Sequence, residues 1–283
     1  MQRYKIVHRT YYNFSAPVQL GSHVFRLRPR ESYDLHIETS TLNITPPATL
    51  RWHRDVENNS VATATFELPA QQLLIESEIV VQQFNLTPLD FLVADYAMNY
   101  PFDYTPDELV MLSPYLKAPE RTALGPLLEW VAKVWHSGER VQTYTLLQQL
   151  NAHIHETMAY QLREEPGVQS PVETLALGTG ACRDFTYLLM EAARSLGLAA
   201  RFVSGYVHAA PSAVNFGATH AWAEVYVPGA GWKGFDPTNG EIAGPSHFAV
   251  AVARLPEWVP PIAGSFVGTA ESKLDVGVWV TLL

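Results

Sequence analysis

The chain has 283 residues, of which 47% are hydrophobic and 17% charged, so a sizeable core is available and a mainly disordered polymer is excluded. A net charge of −9 and a pI near 5.5, with no basic run, exclude nucleic acid or an anionic membrane as the main partner. The single cysteine, Cys182, excludes an internal disulfide, and nothing marks an oxidising compartment.

The opening MQRYKIVHRTYYNF alternates polar and apolar residues and lacks the apolar run of a signal peptide. No stretch approaches the roughly 18 apolar residues of a bilayer span. The expectation is a reduced, cytoplasmic protein. Tyr4, Ile6, His8, Thr10 and Tyr12 alternate with Lys5, Val7, Arg9 and Tyr11, a strand pattern. In LLIESEIVVQQF, Leu73, Ile75, Ile79 and Val81 share one face, with Glu76, Glu78 and Gln82 on the other. LHIETSTLNI and VATATFEL are rich in β-branched residues and are bounded by the turn clusters ITPPAT and ENNS. These spacings predict a β-sandwich-like module.

After Phe84 the composition changes, with Pro88, Pro101, Pro106, Pro114 and Pro119 set among many aromatics. The segment reads as an ordered connection, because flexible linkers are not rich in Phe and Tyr. Helices follow. Leu124, Leu127, Leu128, Val131, Val134 and Trp135 recur at helical spacing, as do Leu146, Leu147, Leu150, Ile154 and Met158. A third helix is expected in GTGACRDFTYLLMEAARSLGL, where Phe185, Leu188, Leu189, Ala192, Ala193 and Leu196 form an apolar stripe. Thr179 or Gly180 can cap its start and Gly197 its end. AARFVSGYV, HAWAEVYV and GWKGFDPT then read as strands, and LDVGVWVTLL closes the chain. Strands, then helices, then strands is an α+β order. The division expected is residues 1–100 for the β module and connection, and 101–283 for a core with a C-terminal strand tail.

Cys182 falls in the first turn of the third helix. Unpaired N–H groups and the helix dipole there favour a thiolate and could hold an oxyanion. A lone cysteine is otherwise a small buried apolar residue, so catalysis needs a base. His153 and His155 do not share a helix face, and His8, His36 and His53 lie in the β module without acidic neighbours. His220 opens HAWAEVYV, and Asp236 ends the strand that Pro237 terminates. Adjacent strands are about 5 Å apart, so the pair can hydrogen-bond, with the register left open. Cys182 as nucleophile, His220 as proton carrier and Asp236 as orienter satisfy the triad logic.

GTGACRDF, HAWAEVYV and FDPTNG together resemble the G-x-C-x-D-[FY], H-A-W-x-E and D-P-T-N blocks of the transglutaminase-like superfamily. The likeness is greatest to its bacterial members, often described as transglutaminase-like cysteine proteases, and covers roughly residues 165–240. The resemblance implies a papain-like α+β core, with the nucleophile at a helix N-terminus packed on an antiparallel sheet and Cys182, His220 and Asp236 as its triad. The opening YKIVHRTYYNFSAPV resembles the β module that precedes this core in bacterial members. Where many members carry G-R-D-Y, this chain has ARLPEWVPPIAG, with Ala253, Leu255 and Pro256 at three of the four places and Glu257 as the following acid.

Arg183 stands where a dinucleotide fingerprint needs its third glycine, and G-x-S-x-G, Walker, zinc and calcium-loop patterns are absent. No cofactor and no metal are expected. Trp222 and Trp232 read as core residues, and Tyr160 and Gln169 as candidate oxyanion donors. The function expected is cysteine-dependent acyl transfer on a peptide or protein amide. Hydrolysis is favoured, transamidation by the same triad is one alternative, and a catalytically silent binding module is the other.

Overall fold

The computed structural model describes residues 1–117, 121–163, 165–209 and 217–283. Pro119 lies outside these, as does the side chain of Leu124.

Alternating residues build the first sheet. The strand Gln2–Leu20 pairs antiparallel with Ala70–Gln83, which pairs in turn with Leu35–Thr45. Its even-numbered side chains Tyr4, Ile6, His8 and Thr10 are buried, as the period of two requires. A second antiparallel sheet, ordered Ile262–Ala263, His23–Phe25, Ser60–Thr65 and Thr49–Arg54, shares a core with the first. Phe14, Val18, Leu73 and Ile75 meet Phe25, Ala62 and Ala64 there.

The C-terminal strand does not stay with the core it follows. Ser272–Leu282 pairs with Gln2–Leu20 from Tyr4 opposite Leu282 to Phe14 opposite Ser272. The tail assigned to residues 101–283 thus completes the N-terminal sheet. It covers the backbone donors and acceptors of the first strand, which would otherwise form an open edge.

The central sheet carries the sequence-singled residues. Its order is Glu241–Ile242, Gly231–Asp236, His220–Val227, Ala200–Val207 and His247–Ala253, with every pairing antiparallel. One face packs on helices. Leu147, Ile154, Leu188 and Ala192 meet Ala223, Val225, Phe235 and Ala251 there. The other face sends Tyr206, Phe248 and Val250 against Tyr4, Ile6, Ile37 and Ile79 of the first sheet. Buried on both sides, the strands read as near-continuous apolar runs.

The helices are Pro106–Leu112, Arg121–Val131, Thr143–Thr157, Pro171–Leu177 and Cys182–Ser195. The first lies inside the segment read as a connection. Thr105 and Glu108 form its capping box and a proline starts it, signals that its few residues kept below the periodicity window. The next ends at Val131, but Val134 and Trp135 still pack on the core. Cys182–Ser195 ends before Gly197, whose φ of +76° is the left-handed conformation glycine tolerates.

Candidate active site

Cys182 is the first residue of its helix and half-buried. Neither Thr179 nor Gly180 caps that helix. The cap is Ala181, whose N–H donates to the Asp184 carboxylate at 2.8 Å. Asp184 is fully buried. It also accepts from the backbone of Gln169 at 2.8 Å and, on both oxygens, from Nη1 of Arg163, at 2.8 and 2.9 Å. A buried carboxylate needs such partners, since desolvation would otherwise neutralise it. Arg183 faces the same loop and donates to the carbonyls of Gly167 and Glu165 at 2.7 Å each. The first turn is thus fastened on both sides of Cys182. A Cβ at Gly180 would lie 2.9 Å from Cβ of Asp184, so that close approach requires glycine.

His220 and Asp236 meet through the register of their strands. Ala223 lies opposite Phe235, so Trp222 faces Asp236 and His220 is the diagonal neighbour on the same face. Nε2 of His220 donates to Oδ2 of Asp236 at 2.7 Å, and both side chains are buried. Asp236 accepts four further hydrogen bonds. The backbone of Thr238 and Asn239 reaches Oδ1 at 3.0 and 3.2 Å, and Asn239 Nδ2 reaches Oδ2 at 2.8 Å. The fourth comes from His247, whose Nε2 lies 3.1 Å from Oδ2.

These contacts decide the charges. Burial pulls the His220 pKa down, but the charge and hydrogen bond of Asp236, with Cys182 adding, push it up to about 10. Burial acts on Asp236 in the opposite sense and is overridden by His220 and His247, which hold it far below the usual carboxylate range. The pairing with Asp236 thus favours the charged, imidazolium form of His220. Its other nitrogen, Nδ1, is buried without a hydrogen-bond partner, while the Cys182 thiol is close enough to act on the ring.

The structure thus joins His220 to Asp236 and packs the helix that Cys182 opens against the strand that His220 opens. Tyr160 pairs with Gly180, two residues before Cys182, and Cys182, after burial, is a cause of its raised pKa. Gln169 accepts at Oε1 from Thr174 Oγ1 at 3.3 Å. Trp222 is buried beside Val203 and Val252, and Trp232 lies under the Arg201 guanidinium at 4.2 Å. His155 donates from Nδ1 to the Thr238 carbonyl at 2.8 Å, bracing the turn after Asp236. Sequence reasoning missed His247 and the Arg163–Asp184 clasp. Nothing local signals the first, because its strand reaches Asp236 only through the sheet order. Among the described residues, the donor atoms of His220, Asp236 and His247 lie within 4.8 Å of one another. Two of those three are already hydrogen-bonded to the third, so the group fits a proton network better than a metal.

Residues 4–82 match the family profile of the bacterial transglutaminase-like N-terminal region, and residues 133–237 match that of the transglutaminase-like superfamily. Residues 133–237 belong to the transglutaminase-like superfamily. Cys182, His220 and Asp236 all fall inside the superfamily match, and His247 lies beyond it. An uncharacterized protein of Mycobacterium leprae is 27% identical to the chain, with both covered in full. An uncharacterized protein of Mycobacterium tuberculosis is also 27% identical, over 98% of this chain and 91% of its own length. Among solved structures, a candidate cysteine protease from Cytophaga hutchinsonii superposes with a TM-score of 0.75 at 19% identity, covering 100% of this chain and 91% of that one. That likeness shows a shared fold.

Proposed function

We propose that the protein is a cysteine-dependent acyl-transfer enzyme that hydrolyses a peptide or isopeptide amide. The observation that carries this reading is the buried His220–Asp236 ion pair beside a cysteine at a helix start. Sγ of Cys182 attacks the substrate carbonyl as a thiolate. The oxyanion that forms is held by the backbone N–H groups of Cys182 and Arg183 at the open end of the helix, with the Tyr160 hydroxyl as a further donor. Collapse breaks the C–N bond. The amine leaves with the proton of the His220 imidazolium, and a thioester remains. The now neutral His220 takes a proton from water, whose oxygen attacks the thioester and releases the acid. An amine in place of that water gives transamidation.

Because His220 is already a cation, its first act is to donate a proton rather than to remove one. Asp236 stays ionised throughout and keeps the ring oriented.

The test is iodoacetamide alkylation of Cys182 against pH, read by mass spectrometry, in the native protein and in His220→Ala. Fast labelling persisting well below about pH 8.5, the free-thiol value, and lost in the variant supports the reading. Ordinary thiol behaviour in both proteins overturns it in favour of a silent binding module. A peptide-amide library then separates hydrolysis from transfer, with Cys182→Ala as the inactive control.

A further inference from the structure

We propose that His247 is a positioning residue that holds the Asp236 carboxylate in the orientation His220 requires. This rests on the acyl-transfer reading, since it assigns a second histidine to the same site.

Four contacts fix the His247 ring. The backbone N–H of Gly244 donates to Nδ1 at 3.3 Å, and Ser246 Oγ lies 3.2 Å from the same nitrogen. Nδ1 is therefore an acceptor, so Nε2 carries the hydrogen and points it at Asp236 Oδ2, 3.1 Å away. Trp222 stands edge-on to the ring with centroids 5.2 Å apart and planes at 83°. The side chain is only 3% exposed, so water does not replace it. A buried imidazole with both nitrogens engaged has a defined orientation and one hydrogen to give.

The carboxylate needs that hydrogen. Oδ1 is held by the turn that follows Asp236, through Thr238 and Asn239. Oδ2 is shared by His220, His247 and Asn239 Nδ2. The neighbouring elements add Cys182 from the helix Cys182–Ser195 and His155 from Thr143–Thr157, the latter acting through the Thr238 carbonyl. His247 is thus the one donor to Asp236 that comes from the strand His247–Ala253. It ties the carboxylate to the sheet rather than to its own turn. Without it, Oδ2 can swing with the turn, and the 2.7 Å contact to His220 loosens. His247 touches no reacting atom, so its effect passes through Asp236.

The experiment uses the full chain and its single thiol. Alkylation rates at about pH 6 and about pH 9, either side of the free-thiol value, are compared in the native protein, His220→Ala, His247→Gln and His247→Asn. The Gln amide nitrogen stands close to the place of Nε2 and keeps a donor on Asp236. The Asn amide falls short. The low-pH to high-pH rate ratio is expected to drop about tenfold in His247→Asn, the effect of about one pKa unit on the coupled group, and to stay near native in His247→Gln. Equal loss in both variants, or in neither, overturns the positioning role. An unchanged ratio in His220→Ala instead places the failure in the acyl-transfer reading. A further readout needs no variant: ¹⁵N-histidine NMR of the native protein is expected to show His247 with its hydrogen on Nε2, and a hydrogen on Nδ1 alone overturns the proposal.

Discussion

The hydroxyl of Tyr206 lies 3.1 Å from Nδ1 of His8, joining the central sheet to the first strand of the chain. Tyr206 donates onward to the Leu27 carbonyl at 3.2 Å, and His8 Nε2 contacts Thr10 Oγ1 at 2.9 Å. The hydroxyl thus accepts from Nδ1–H, and Nε2 of the neutral imidazole accepts from the Thr10 hydroxyl. Burial pulls its pKa down from 6.5 to about 4. The unfolded chain therefore takes up a proton below pH 6.5 that the folded chain refuses until about pH 4. Stability is full above the unfolded value and is lost as pH falls through this window, by roughly 3 kcal/mol at its end. Urea unfolding from neutral pH to pH 4 checks this, and His8→Gln is expected to lack that part of the acid loss.

His220 predicts the opposite behaviour at the alkaline end. Its folded pKa of about 10 lies above the unfolded 6.5. The ion pair with Asp236 therefore stabilises fully below pH 6.5, and its contribution fades as pH rises through about 10. Thermal melts of the native protein are expected to fall across that range. His220→Gln is expected to start lower and to fall less.

Arg163 neutralises the buried Asp184 at the start of the Cys182 helix. Arg163→Met leaves that carboxylate without its cation, and a cost of about 3 kcal/mol is expected from breaking a buried pair. Urea midpoints measure it. Asp184→Asn combined with Arg163→Met is expected to recover part of the loss, because no charge is then stranded.

Gly205 lies opposite His220 in the central sheet. A Cβ there would stand 2.5 Å from the Phe248 carbonyl oxygen and 2.5 Å from the Trp222 ring. Gly205→Ala is expected to destabilise by about 1–3 kcal/mol through overpacking and to slow Cys182 alkylation at about pH 6, below the free-thiol value. Ala249→Gly, facing Gly205 on the other neighbouring strand, tests whether any loosening of that sheet has the same effect on alkylation. An equal effect would remove the link to Trp222 and His220.

Much of this arrangement was legible in the chain. Period-two alternation located Gln2–Leu20 and Ala70–Gln83, and the apolar stripe located Cys182–Ser195, because each pattern records a local geometry and one buried face. The helix Pro106–Leu112 was missed, since a capping box on two turns is too short to set up a period. The three triad positions stood in recognisable blocks, each at the end of its own element. The Asp184 clasp was not visible, because Arg163 reaches it across a loop whose path no periodicity describes.

Taken alone, the sequence determined which residues face a core, where helices and strands run, and that one thiol stands at a helix start. Those properties depend on neighbours a few positions away. Only the tertiary structure decided that Ser272–Leu282 closes the sheet begun by Gln2–Leu20, and that His247 shares Asp236 with His220. Both are pairings between strands far apart in sequence. Their order and register are chosen by which edges and buried polar groups remain to be satisfied once the rest of the chain has packed.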